Sequence, residues 1–193
     1  MTVAPEKPQE KSAEDRLARP YAFLEDVKAL DPGQLAALRR NAGATLADSH
    51  GVLWMYRLLQ RHAYERDFDI YFFTATLLAL DKTALKAKAF ADGGDLGWSL
   101  AKFTQKFSPK ALERRFSVLL DSRFDSGEMS FRMPQVVKML TTNDIPVNWP
   151  LLLQDLLFWE APQKHVQKRW AAHFFDPTGE AAEPEANPSS ETE

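Results

Sequence analysis

The chain of 193 residues is 45% apolar and contains no cysteine, which excludes disulfides, thiolate nucleophiles and cysteine-ligated zinc or iron–sulfur centres. Its formal charge of −3 conceals an asymmetry: from Asp176 onward six carboxylates stand without a basic residue, so elsewhere 24 basic side chains face 21 acidic ones, a body at +3. No window approaches about 18 continuous apolar residues, and the charged N-terminus leads into no apolar run. Neither a membrane span nor a signal peptide is therefore expected, and the chain reads as cytoplasmic.

Residues 1–18 lack a sustained apolar pattern and are expected to be disordered, with order beginning near Tyr21. Tyr21, Phe23, Leu24 and Val27 form the apolar side of a first helix. Asp31-Pro32 starts a second, with Leu35 and Leu38 inside and Arg39 and Arg40 at its C-terminal end, where cations complement the helix dipole without needing a ligand. Gly51 to His62 carries Val52, Leu53, Tyr56, Leu58 and Leu59 in a helical pattern. Asp67 to Leu80 is apolar on so broad a stripe that it predicts a central helix covered on several sides.

Three glycines and two aspartates between Ala91 and Gly97 predict a loop. It is not a phosphate loop, because the lysine and hydroxyl residue of a nucleotide-triphosphate site are missing and no strand precedes it. A helix follows over Leu96 to Phe107, with Leu96, Leu100 and Phe103 inward and Lys102 and Lys106 one turn apart on another face. Ser108 and Pro109 then supply an N-cap and a first helical residue for a helix burying Leu112, Phe116, Leu119 and Leu120, which turns Arg114 and Arg115 away from the core. A polar turn from Asp121 to Glu128 leads to a helix over Met129 to Leu140, in which Pro134 marks a shifted start or a kink. Asn148-Trp149-Pro150 opens a helix through Leu152, Leu153, Leu156 and Leu157, and Pro162 opens a last one with Val166, Trp170 and Phe174 inside. No alternating run supports a sheet. The fold class is all-α, a compact multi-helix bundle of one or two closely packed lobes, 19–122 and 123–175, followed by an acidic disordered tail over 176–193.

Catalytic signatures are missing. The four histidines do not take metalloprotease spacing, the acidic groups Asp67/Asp69 and Asp121/Asp125/Glu128 fall at a helix start and in a turn, and no nucleophile elbow occurs. Neither a cofactor nor a metal is expected. The basic residues make the more coherent case: Arg39, Arg40, Arg57, Lys102, Lys106, Lys110, Arg114, Arg115, Arg123, Arg132, Lys138, Lys164, Lys168 and Arg169 lie on or beside predicted helices, and from Trp98 to Phe175 there are 11 basic against 7 acidic residues. Such cations either form a rigid track for sugar–phosphate or serve as scattered solubilising charges.

Read together, several segments resemble the CasB family, the small subunit of the type I-E CRISPR Cascade surveillance complex. They are Gly94-Asp95-Leu96-Gly97-Trp98-Ser99-Leu100-Ala101, Glu113-Arg114-Arg115-Phe116 with Leu119-Leu120, Val147-Asn148-Trp149 with Leu152-Leu153, Asp155-Leu156-Leu157-Phe158-Trp159, and Lys168-Arg169-Trp170-Ala171-Ala172-His173-Phe174. The resemblance runs from roughly Asp31 to Phe175 and leaves both tails outside it. It implies an all-helical, nonenzymatic subunit that packs beside a second copy of itself and beside the backbone and large subunits of Cascade. The same resemblance implies contact with CRISPR guide RNA and target DNA, and above all with the displaced DNA strand. The basic positions it carries over are Arg40, Lys102 and Arg115, with Arg123 as an extension and Lys106 and Arg114 as neighbours able to face the same groove. The alternative is a helical protein-interaction scaffold that does not touch nucleic acid.

Overall fold

The computed structural model describes residues 13–107, 110–124 and 126–176, and among them ten α-helices and one 3-10 turn occur and no strand. The expected cap at Ser108 and Pro109, the acidic Asp125 and nearly all of the acidic tail lie outside the described residues. α1 (Ala13–Lys28) begins ahead of the expected start near Tyr21 and passes through Pro20. Pro20 is itself buried, so the packing of its ring holds a helix that local rules would have ended.

α2 (Pro32–Arg40) carries a full capping box: Asp31 Oδ1 accepts from the Gln34 amide at 2.9 Å, and Gln34 Oε1 accepts from the Asp31 amide at 3.2 Å. α3 is shorter than its apolar pattern suggests, spanning Met55–His62 with Met55 and Leu59 inward. That phase corrects the expectation for Leu53, which is 82% exposed, and leaves Tyr56 at the surface. A 3-10 turn at Glu65–Asp67 leads into α4 (Phe68–Leu78), in which every residue from Tyr71 to Leu78 is buried. α4 is the central helix its composition predicts.

α5 (Lys82–Lys86) has no counterpart among the elements expected from sequence. Asp81 caps it by accepting from the Thr83 and Ala84 amides, and the other Asp81 oxygen accepts from Trp149 Nε1 at 3.0 Å. α6 (Leu96–Lys106), α7 (Lys110–Leu120), α8 (Glu128–Thr142), α9 (Trp149–Leu157) and α10 (His165–Phe175) complete the chain. α8 runs through Pro134 without ending. α10 starts three residues after Pro162, because Pro162 sits in a turn and Lys164 takes a left-handed φ of 50° before the helix begins.

The core is one hydrophobic cluster with Trp149, Trp159 and Trp170 among its largest members. Helices late in the chain pack directly on early ones, α9 on α1 and α4 and α10 on α6. The tightest of these contacts is between α6 and α10, where a Cβ on Gly97 would stand 2.0 Å from the Trp170 carbonyl oxygen.

Candidate nucleic-acid interface

Neighbouring arginines at the end of α2 have opposite fates. Arg39 turns inward and its Nε donates to the Ala79 carbonyl at 2.9 Å, completing a hydrogen bond at the C-terminus of α4. Arg40 is exposed and makes no ion pair among the described residues. The turn behind it is rigid: Asn41 Nδ2 donates to the carbonyls of Ala37 and His50, and Asn41 Oδ1 accepts from the His50 amide. Two residues on, Gly43 has φ +88°, and a Cβ there would lie 2.3 Å from Ser130 O and 2.8 Å from Pro134 Cγ. The Arg40 turn is thereby seated against α8.

On α6, Asp95 is the N-cap and its Oδ1 accepts from the Trp98 amide at 3.1 Å. The indole of Trp98 lies across Gly93 and Gly94, where added Cβ atoms would come within 2.9 Å of it. Lys102, one turn on, holds its ammonium 3.5 Å from the centroid of the Trp98 ring, a cation–π contact that fixes the charge without neutralising it. Lys106, a further turn along, is exposed.

On α7, Leu112, Phe116 and Leu119 are buried while Arg114 and Arg115 are exposed. Arg115 lines a cavity of about 160 Å³ with Leu112 of its own helix and Arg132, Gln135, Val136 and Met139 of α8. Positions 130 and 134, which meet the Arg40 turn, and positions 132, 135 and 139, which meet α7, lie on different sides of α8 at about 100° per residue. The Arg40 turn and Arg115 therefore flank one helix, whose exposed face carries Phe131, Gln135 and Lys138. Arg123 is placed elsewhere. It sits in the α7–α8 connection and lines a second cavity, of about 250 Å³, with Glu160 and Lys164 of the α9–α10 turn.

Two of the wider set of basic residues are structural. Arg39 is used as above, and Arg169 donates through Nε to Asp95 Oδ2 at 3.1 Å and through a terminal nitrogen to Asp155 Oδ1. Asp155 also accepts from Trp170 Nε1 at 2.6 Å, and Asp95 Oδ2 from His173 Nδ1 at 2.8 Å. Burial pushes the Asp155 carboxyl above its ordinary value, against the pull of Arg169 and Trp170. The proximity of Arg132 to Arg115 is what sequence reading missed. The one local signal for it is the helical spacing of Arg132, Gln135 and Met139 on a single face.

Among the described residues no cluster of three or more His, Asp or Glu side chains could hold a metal ion, and no helix is long and apolar enough to cross a membrane. The sequence profile of the CRISPR-associated protein Cse2 matches residues 34–175. The chain belongs to the Cse2 family.

A Cse2 protein of Thermus thermophilus is 35% identical over 65 residues, 34% of this chain and 36% of that protein, so the alignment spans about a third of the relative. The crystal structure of CasB from M. ruber is 28% identical, covers 83% of this chain and 94% of its own, and superposes with a TM-score of 0.69. A chain of a CRISPR RNA-guided surveillance complex is similar in fold, with a TM-score of 0.70 over 83% of this chain and 93% of that one at 21% identity. The CasB resemblance read from the sequence is borne out. In the Cse2 fold seen here, several of its signature residues are structural: Asp95 and Asn148 cap helices, Gly97 admits α10, and Asp155, Arg169 and Trp170 form a hydrogen-bonded group.

Proposed function

We propose that this Cse2 protein is the nonenzymatic small subunit of a type I-E CRISPR RNA-guided surveillance complex. In this reading it supports assembly and stabilises the R-loop by holding nucleic-acid backbone, above all the displaced DNA strand. Its partners are the guide RNA and target DNA, the Cascade backbone and large subunits, and a second copy of itself. The observation that carries the reading is the set of exposed or half-exposed cations on rigid helices, Arg40, Lys102, Lys106, Arg114 and Arg115, none of which has an ion-pair partner among the described residues. Cations fixed in this way favour phosphate of any sequence and supply no base readout. Arg123, on the α7–α8 connection against the α9–α10 turn, would add a phosphate contact at a separate place on the surface.

A second role, subunit contact, is supported by Leu53 at 82% and Phe131 at 68% exposure, large apolar groups that gain from burial against protein. The decisive experiment is reconstitution with native partners and a target duplex, comparing wild type with the Arg40→Ala, Lys102→Ala, Arg115→Ala triple variant across a salt titration. Guide-RNA loading is expected to persist while the R-loop shortens its lifetime, and the salt slope for single-strand binding is expected to drop by about 2, at about 0.7 per phosphate contact. Equal R-loop lifetimes at every salt concentration, from a variant with an unchanged circular-dichroism spectrum, would refute the reading.

A further inference from the structure

The cleft between α7 and α8 brings two arginine side chains to one small cavity. Arg115 reaches it from α7 and Arg132 from α8, beside Gln135, whose Nε2 spends one of its two hydrogens on the Phe131 carbonyl at 3.2 Å, and no acidic residue is in the lining. Two cations placed together repel each other, and neither has a carboxylate to offset that repulsion. Glu128 lies one turn before Arg132, at the spacing of a helix ion pair, yet makes none with it, and no other described carboxylate pairs with either arginine. The Nε of Arg132 is shielded from solvent and has no hydrogen-bond acceptor. Arg132 as a whole is half-buried, and a shielded N–H left without an acceptor costs stability that an acceptor arriving from outside would restore.

The cavity, about 160 Å³, is well below the roughly 300 to 1,000 Å³ usual for small-molecule pockets. It suits a compact anion and is too small for a nucleobase with its sugar. Leu112, Val136 and Met139 supply apolar walls, which strengthen charge-assisted hydrogen bonds by excluding water.

We infer that this cleft is a site for a single phosphodiester group, gripped between Arg115 and Arg132 with Gln135 as an additional donor. The inference rests on the nucleic-acid reading above and narrows it, from a diffuse positive surface to one anchoring phosphate, with Arg132 as a binding residue that the sequence did not single out. The planar guanidinium matters here because it presents two parallel N–H donors to two phosphate oxygens, a geometry that an ammonium group does not reproduce.

The test uses the full chain and a fluorescein-labelled, mixed-sequence single-stranded DNA, with anisotropy read over a range of salt concentrations. Arg132→Gln is expected to weaken binding about tenfold and to lower the logarithmic salt slope by about 0.7. Arg132→Lys keeps the charge and loses the fork, so it is expected to fall near Arg132→Gln rather than near wild type. Because Arg115 and Arg132 share one phosphate, the double variant is expected to lose less than the sum of the two single losses. Gln135→Glu, at an exposed position that leaves the core untouched, places a carboxylate at the cleft and is expected to weaken binding at least as much, which keeps the test decisive should Arg132→Gln fold poorly. Arg132→Lys binding like wild type, or Arg132→Gln and Gln135→Glu both leaving affinity and slope unchanged while Arg40→Ala and Lys102→Ala weaken binding, would overturn the site and leave the broader reading standing. Wild-type protein that binds the oligonucleotide at no salt concentration would overturn both.

Discussion

The indole Nε1–H of Trp170 donates to Asp155 Oδ2 at 2.6 Å, and both residues are shut off from solvent. The other Asp155 oxygen receives Arg169, which also reaches Asp95, so one hydrogen-bonded group ties the N-cap of α6 to α9 and α10. Trp170→Ala empties a large buried volume and is expected to destabilise the protein by about 3 to 5 kcal/mol. Asp155→Asn keeps the shape but removes the charge that meets Arg169, which is partly exposed and retains Asp95, and about 1 to 2 kcal/mol is expected. Urea melts of the two variants check both values, and a midpoint unchanged in either would contradict the assignment.

Gly97 is required by the approach of α10 rather than by its own backbone angles. A methyl group there would lie 2.0 Å from the Trp170 carbonyl oxygen, a backbone atom that no side-chain rotation can move. Gly97→Ala is expected to push α6 and α10 apart and to destabilise by about 3 kcal/mol or more. Gly51→Ala, at φ +71° with nothing within 4 Å of the added atom, is expected to be the milder change. Thermal melts that rank the two substitutions the other way round would show that the α6–α10 contact yields more easily than its geometry implies.

Adjacent arginines separate structure from surface. Arg39→Ala removes the donor to the Ala79 carbonyl and is expected to lower the melting temperature, whereas Arg40→Ala is expected to leave it unchanged and to weaken single-stranded DNA binding instead. The same contrast applies between Arg169 and Arg114. Differential scanning fluorimetry beside an anisotropy titration reads both properties on the same samples, and a stability loss in Arg40→Ala equal to that in Arg39→Ala would remove the distinction.

Acid sensitivity has a named contributor. The hydrogen bond from His62 to Asp26, with a second from Arg61, holds the Asp26 carboxyl below its ordinary value. A carboxyl depressed in the folded state adds stability that is present above its unfolded value, about 3.9, and is lost as pH falls through the lower folded value. Wild type is therefore expected to lose part of its stability below about pH 4, and Asp26→Asn to lose less over the same interval. Denaturant midpoints from about pH 6 to about pH 3 check this, and parallel curves for the two proteins would count against it.

Helical period, caps and breakers act over a few residues, and those features could be read from the sequence. The broad apolar run of α4 predicted a central helix, and Asp31, Asn148 and the glycine-rich loop before Leu96 marked boundaries that the structure keeps. Arg114 and Arg115 were placed opposite Leu112 and Phe116 by spacing alone, and their exposure follows. Even locally the reading had limits where packing overrode propensity. Pro20 lies inside α1 because its ring is buried, and Leu53 is exposed because α3 begins two residues after it in another phase.

What only the tertiary structure decided is which charges remain available. Arg169 looks like a solvated cation in its segment, yet its partner Asp95 is 74 residues away, and Arg39 is satisfied by a carbonyl 40 residues away. Nothing within a helical turn of either residue encodes such a partner. In the same way Arg132 gains its significance from Arg115 on another helix, once α7 and α8 have packed to enclose a cavity between them. The amino-acid order by itself determines the sign and helical face of each charge, through short-range geometry, whereas its neutralisation, burial or pairing depends on how whole helices are stacked.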